Sequence, residues 1–159
     1  MSGGNNYLES EGKEKRGLFP SAVSYSTDLH SIGQFIQEGS PILFETFLHF
    51  NETQDDIKIP YDHRNDDQLN YLSIYSFNEM NSMAKESSVL AHAEGGIPVI
   101  QINLERLDEY HLGYVIYFFM KACVMSSLLL QVNPFNQPGV EIYKQKMHGL
   151  LGNSILEDY

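Results

Sequence analysis

His30 is the first side chain in this sequence placed where chemistry could use it. Thr27 or Asp28 offers an N-cap to a short helix, which Ile32, Phe35 and Ile36 stripe with apolar positions and Gly39 stops, so His30 falls in its first turn. The positive end of the helix dipole disfavours imidazolium there and keeps a neutral ring available as a proton acceptor. The plainer alternative is a histidine making a local cap contact. Lys144 follows Glu141 by three residues on a candidate C-terminal helix and by itself reads as a surface ion pair. Glu9, within LESEGK, reads on charge pattern alone as part of a solvated loop. His49, His63, His92, His111 and His148 lack ligand spacing of the H-E-x-x-H kind, and a single cysteine excludes the thiolate zinc frames. A metal site is therefore not expected. Gly3-Gly4 and Gly95-Gly96 are lone pairs that read as turns, not as a phosphate-binding loop.

The elements that must position these residues follow from apolar spacing. Residues 1–26 are polar and rich in Gly, Ser and Glu, and read as loop, with 1–8 a flexible leader. After Ser40-Pro41, residues 42–50 (ILFETFLHF) predict a largely buried strand, and 51–67 an acidic connector. Leu72, Tyr75, Met80, Met83 and Leu90 predict helix from Leu69 to about Ala93, broken near Asn78 and ended by Gly95 and Gly96. A second strand is expected over 97–105. Asp108 then caps a long apolar helix, expected to be buried in a core, and Asn133, Pro134 and Pro138 bound a turn. The last helix runs from about Val140 to Leu151, with Val140, Tyr143, Met147, Leu150 and Leu151 facing the core, and 153–159 form a tail. Helices alternating with two apolar strands predict an α/β fold with a parallel or mixed sheet flanked by helices. Two strands leave unpaired edges, so further strands must come from elsewhere.

Composition bounds the partners. The formal net charge of -11, from 21 acidic and 10 basic side chains, argues against nucleic acid, whose binding rests on clustered Lys and Arg. An acidic chain can still hold a small anionic ligand at a local basic site. Cys123, the single cysteine, lies in an apolar run and reads as a small buried side chain in a reducing compartment. The N-terminus has no apolar signal region, so the expected location is cytoplasmic. Residues 112–132 have roughly the length of a membrane span, but Lys121 at the centre would cost about 3 kcal/mol and no basic flank accompanies it, so no membrane partner is expected.

Three segments in order then carry a family resemblance: LESEGK at Glu9, STDLHSIGQFIQEG at His30, and SLLLQVNPFNQPGVEIYK from Ser127 to Lys144. Together they resemble the glucose-6-phosphate isomerases of bacterial type, over what corresponds to the C-terminal third of that family. The resemblance implies that residues 9–152 form part of a sugar-isomerase (SIS) domain, flavodoxin-like and doubly wound. It also implies interconversion of glucose 6-phosphate and fructose 6-phosphate in glycolysis and gluconeogenesis. His30 and Lys144 would assist ring opening, Glu9 would carry the proton between C1 and C2 through a cis-enediol, and Gln137 would position substrate. A carboxylate suits that work when partial burial raises its pKa toward neutrality. The family's N-terminal domain, with its Ser/Thr phosphate loop and an Arg, has no counterpart in these residues. The expected partners are therefore a sugar phosphate and either a second copy, as a homodimer, or the missing N-terminal domain. The competing expectation is a non-catalytic relic or sugar-phosphate-binding module.

Overall fold

The computed structural model describes residues 4–53 and 55–152, so the expected tail at 153–159 and the start of the expected leader lie outside the described residues. The chain divides into two units, residues 23–113 and residues 1–22 with 114–159.

The first of these units is built on a β-α-β frame. Strands β1 (Glu45–Glu52) and β2 (Val99–Arg106) pair in parallel, with Glu45 opposite Val99 and Glu52 opposite Arg106. Parallel neighbours need a crossover, and helix α3 (Phe77–Glu94) supplies it, packing on both strands. The Ser76 hydroxyl accepts from the Glu79 amide while the Glu79 carboxylate accepts from the Ser76 amide, a capping box that fixes where α3 begins. The expected break near Asn78 thus lies two residues earlier, after a 3₁₀ turn at Asn70–Leu72. Gly96 carries φ +88°, a conformation that favours glycine, and turns the chain into β2. Before the sheet, the expected helix over His30 is present. Its first turn, Leu29–Gly33, is π-helical, and α2 (Gln34–Glu38) continues it to Gly39.

Register places Glu45, Phe47 and His49 on the sheet face toward α3, where His49 Nε2 lies 3.3 Å from Ser82 Oγ. Leu48 and Ile100 point the opposite way and are exposed. Among the described residues the sheet has only these two strands, so it agrees with the expected parallel α/β class while remaining partial.

The other unit corrects three expectations. Residues Gly4–Glu11 form helix α1 where loop is expected through residue 26. The low helix propensity of Gly4, Asn5 and Asn6 hides it in the sequence. Helix α4 (Glu109–Leu129) begins as expected, with Asp108 accepting from the His111 amide at 2.8 Å. It is not a buried core helix, however. Val115, Cys123 and Ser127, spaced by eight and then four residues, form one buried line, while Tyr117, Phe118, Met125 and Leu128 are exposed. Helix α5 (Pro138–Leu150) starts at its proline, two residues before the expected Val140, because a proline at the first helical position sacrifices no intrahelical bond. None of its residues is buried: Val140, Tyr143, Met147 and Leu150 are exposed, as is Leu151 beyond its end. Apolar periodicity specifies a face that can be covered, and among the described residues nothing covers α5 or most of the apolar surface of α4.

Candidate functional site

Four side-chain contacts tie residues 9–16 to residues 126–137. The Gln137 amide donates to the Glu9 carboxylate. The Ser126 hydroxyl donates to Glu11, and the Lys13 ammonium donates to the Asn133 carbonyl. Arg16 donates to the Leu130 carbonyl at 2.7 Å. One short segment thus grips the cap position of α5 through Glu9, the end of α4 through Glu11, and the turn between them through Lys13 and Arg16. Glu11 and Lys13 are charged yet only 5% and 7% exposed. Burial of charge is expensive unless it is bonded, so these two hold the segment, while Glu9 stays exposed at its start. Nearby, Tyr7 on α1 lies against Cys123, and burial pushes its phenol above the ordinary range.

Gln137 occupies the cap position of α5 but makes no side-chain cap hydrogen bond to that helix, and its side-chain amide reaches Glu9 instead. One turn into α5, Lys144 donates to Glu141 at 2.7 Å, and both are more than half exposed. The plain ion-pair geometry expected from spacing is therefore present. Glu9, Gln137 and Lys144 belong to one unit, and the structure brings Glu9 and Gln137 into direct contact. His30 belongs to the other unit, exposed on the π-helical turn. Asp28 knots that turn: its backbone carbonyl accepts from the Ser31 and Gly33 amides, and its carboxylate accepts from the Ser24 amide.

The carboxyl ends of parallel strands are the usual ligand crevice of an open α/β sheet. Here the crevice beyond β1 and β2 is lined by Thr53, Asp55, Leu107, Asp108, Glu109 and Leu112. Three carboxylates and no basic side chain make it a poor seat for an anion. Asp108, moreover, is engaged with its own helix. The hydrogen bond from the His111 amide, opposed by some desolvation and assisted by the His111 ring, holds its carboxyl below the usual range. Among the described residues no group of three or more His, Cys, Asp or Glu is arranged to hold a metal ion.

Comparison with known proteins shows what the chain as a whole is similar to. The chain is 53% identical over 152 residues to the glucose-6-phosphate isomerase of Staphylococcus epidermidis, covering 96% of this chain and 34% of that protein. The enzyme of the same name from onion yellows phytoplasma is 52% identical over 145 residues, 91% of this chain and 34% of its own length. This chain is a homologue of the glucose-6-phosphate isomerases. It spans about a third of the length of the curated relatives it matches, in agreement with the C-terminal third expected from the motifs. No family model matches. A crystal structure of a hypothetical protein from Thermus thermophilus superposes with a TM-score of 0.83 at 23% identity, over 94% of this chain and 37% of that one. That likeness carries the fold alone. The isomerase homology also bears on α4, the one described helix long and apolar enough to cross a membrane, because the matched residues of the relatives, named for sugar-phosphate chemistry, include this segment.

Sequence reasoning missed Glu11, Lys13 and Ser126, although two of them lie inside the quoted LESEGK. Charge pattern assigns such residues to solvent, and only the fold reveals that their partners lie 115 and 120 positions away. It also missed a buried cluster in the His30 unit, where Glu45 accepts from Tyr25 and from His92.

Proposed function

We propose that this chain supplies residues of a glucose-6-phosphate isomerase active site, an aldose-ketose isomerase interconverting glucose 6-phosphate and fructose 6-phosphate. The observation that carries the reading is the hydrogen bond from Gln137 to Glu9, which joins two motif positions far apart in sequence. In this reading Gln137 orients the Glu9 carboxylate and the sugar together. Glu9 takes the proton from C2 of the open-chain aldose and returns it to C1 through a cis-enediol, so that no cofactor is required. His30 and Lys144 move protons between the ring oxygen and the C1 hydroxyl to open the pyranose. For Lys144 to do so it must exchange Glu141 for substrate, which its exposure permits.

The domain reading that accompanies this is a partial sugar-isomerase domain over residues 9–152, working in the cytoplasm with the rest of such an enzyme or a second copy. The exposure of Glu9, His30, Gln137 and Lys144 favours a requirement for that additional polypeptide, since proton transfer gains from exclusion of water. The same exposure supports a second reading, a module that binds sugar phosphate without turning it over.

The test is a coupled assay of glucose 6-phosphate formation from fructose 6-phosphate, run on the chain alone and with the remaining two-thirds of the Staphylococcus epidermidis enzyme added. The expected outcome is turnover on addition, lost in Glu9→Gln and Lys144→Ala. Silence under complementation, with fructose 6-phosphate still bound, would establish the second reading instead.

A further inference from the structure

The buried cluster beside the His30 turn has no role in the chemistry above, and its geometry gives it one. Tyr25 donates its hydroxyl to Glu45 Oε1 at 2.8 Å, and His92 Nδ1 donates to Glu45 Oε2 at 2.6 Å. The His92 and Glu45 side chains are only 5% and 10% exposed. The Tyr25 ring also packs 5.6 Å from Phe47 and edge-on to His92 at 6.1 Å. Three elements therefore meet at one carboxylate: the segment before α2, the first residue of β1 and the last turn of α3. Burial, then the bond to Glu45, pushes the Tyr25 phenol well above the ordinary range, so it remains a donor throughout the working pH range.

Tyr25 sits inside the knot that shapes the turn. The Asp28 amide donates to Ser24 and the Ser24 amide returns to the Asp28 carboxylate, closing the chain around Tyr25. From Asp28 onward the Ser31 and Gly33 amides hang on its carbonyl, with His30 before them. A side chain enclosed by the knot and bonded to the sheet fixes the knot to the sheet.

We propose that Tyr25 and Glu45, buttressed by His92, are positioning residues that hold the turn bearing His30 on the β1–α3 frame. This rests on the reading of His30 as the ring-opening residue, but its structural content is tested without substrate. Amide hydrogen exchange on the 159-residue chain reads it directly. In Tyr25→Phe, which keeps the ring and removes the hydroxyl, exchange at Ser31 and Gly33 is expected to quicken about tenfold, with the amides of β1 and β2 unchanged. Glu45→Gln retains an acceptor for Tyr25 and should keep Ser31 and Gly33 protected, whereas Glu45→Ala should not. Unchanged protection in Tyr25→Phe, or equal acceleration across β1 and β2, would overturn the proposal. Neither result depends on turnover, so failure of the isomerase reading would register separately, as silence in the complementation assay.

Discussion

Lys13 shows how much a single side chain can decide in this chain. Its ammonium is nearly inaccessible and donates to the carbonyl of Asn133, four residues before Gln137. Lys13→Ala removes that donor and strands a carbonyl, and a buried polar group left unpaired costs about 1–3 kcal/mol. The expected result is a lower urea midpoint together with loss of the contact between Glu9 and Gln137, seen as a changed Gln137 side-chain amide resonance. An unmoved resonance would mean that Glu9 is placed by something other than the clamp. His49 gives a pH signature. Burial, then the neighbouring Lys85, lowers its pKa below the unfolded value of about 6.5. The folded state thus prefers the neutral ring, and this contribution is full above the unfolded pKa and is lost as pH falls through the folded one. Stability should fall as pH drops below about 6.5, and His49→Gln should reduce that fall; an identical profile in the variant would assign the loss to other groups.

Among elements, α3 carries the frame, because it makes the crossover, faces Glu45 through His92 and faces His49 through Ser82. Its start depends on the reciprocal pair Ser76 and Glu79. Ser76→Ala removes the acceptor for the Glu79 amide and should cost about 1 kcal/mol, measured as a shift in thermal or urea unfolding. Ser76 is itself only 4% exposed, so the loss should reach the global transition instead of merely fraying the helix end. That cap was not among the sequence expectations, but other element boundaries were legible beforehand. Asp108 at the start of α4, Gly39 after α2 and the glycines after α3 stand where the sequence places them, because caps and stops are local chemistry. Helix α1 was not legible, since its weak formers gain their order from Tyr7 and Glu11 meeting α4.

On the scale of the whole molecule, the exposed apolar surface is the dominant fact. Met125, Leu128 and Leu129 on α4, and Tyr143, Met147 and Leu150 on α5, all face solvent. Patches of this kind mark interaction surfaces or association liabilities. The isolated 18.1 kDa chain is therefore expected to associate at micromolar concentration, with Leu128→Glu lowering the light-scattering mass toward that of one chain. A monodisperse single chain at those concentrations would show that the surface is tolerated bare.

The sequence by itself determined the resemblance to glucose-6-phosphate isomerases, the order of the two strands and of helices α2 to α5, a parallel or mixed α/β class and the motif positions Glu9, His30, Gln137 and Lys144, because these are written in residue type and local spacing. Tertiary structure alone decided which of them meet and which apolar faces are covered. It joined Glu9 to Gln137 across 128 residues, buried Glu11 and Lys13, closed Tyr25 and His92 on Glu45, and left α5 and most of the apolar surface of α4 exposed. Side-chain hydrogen bonds between distant segments leave no period in the sequence, and hydropathy records that a face is apolar without recording what lies against it.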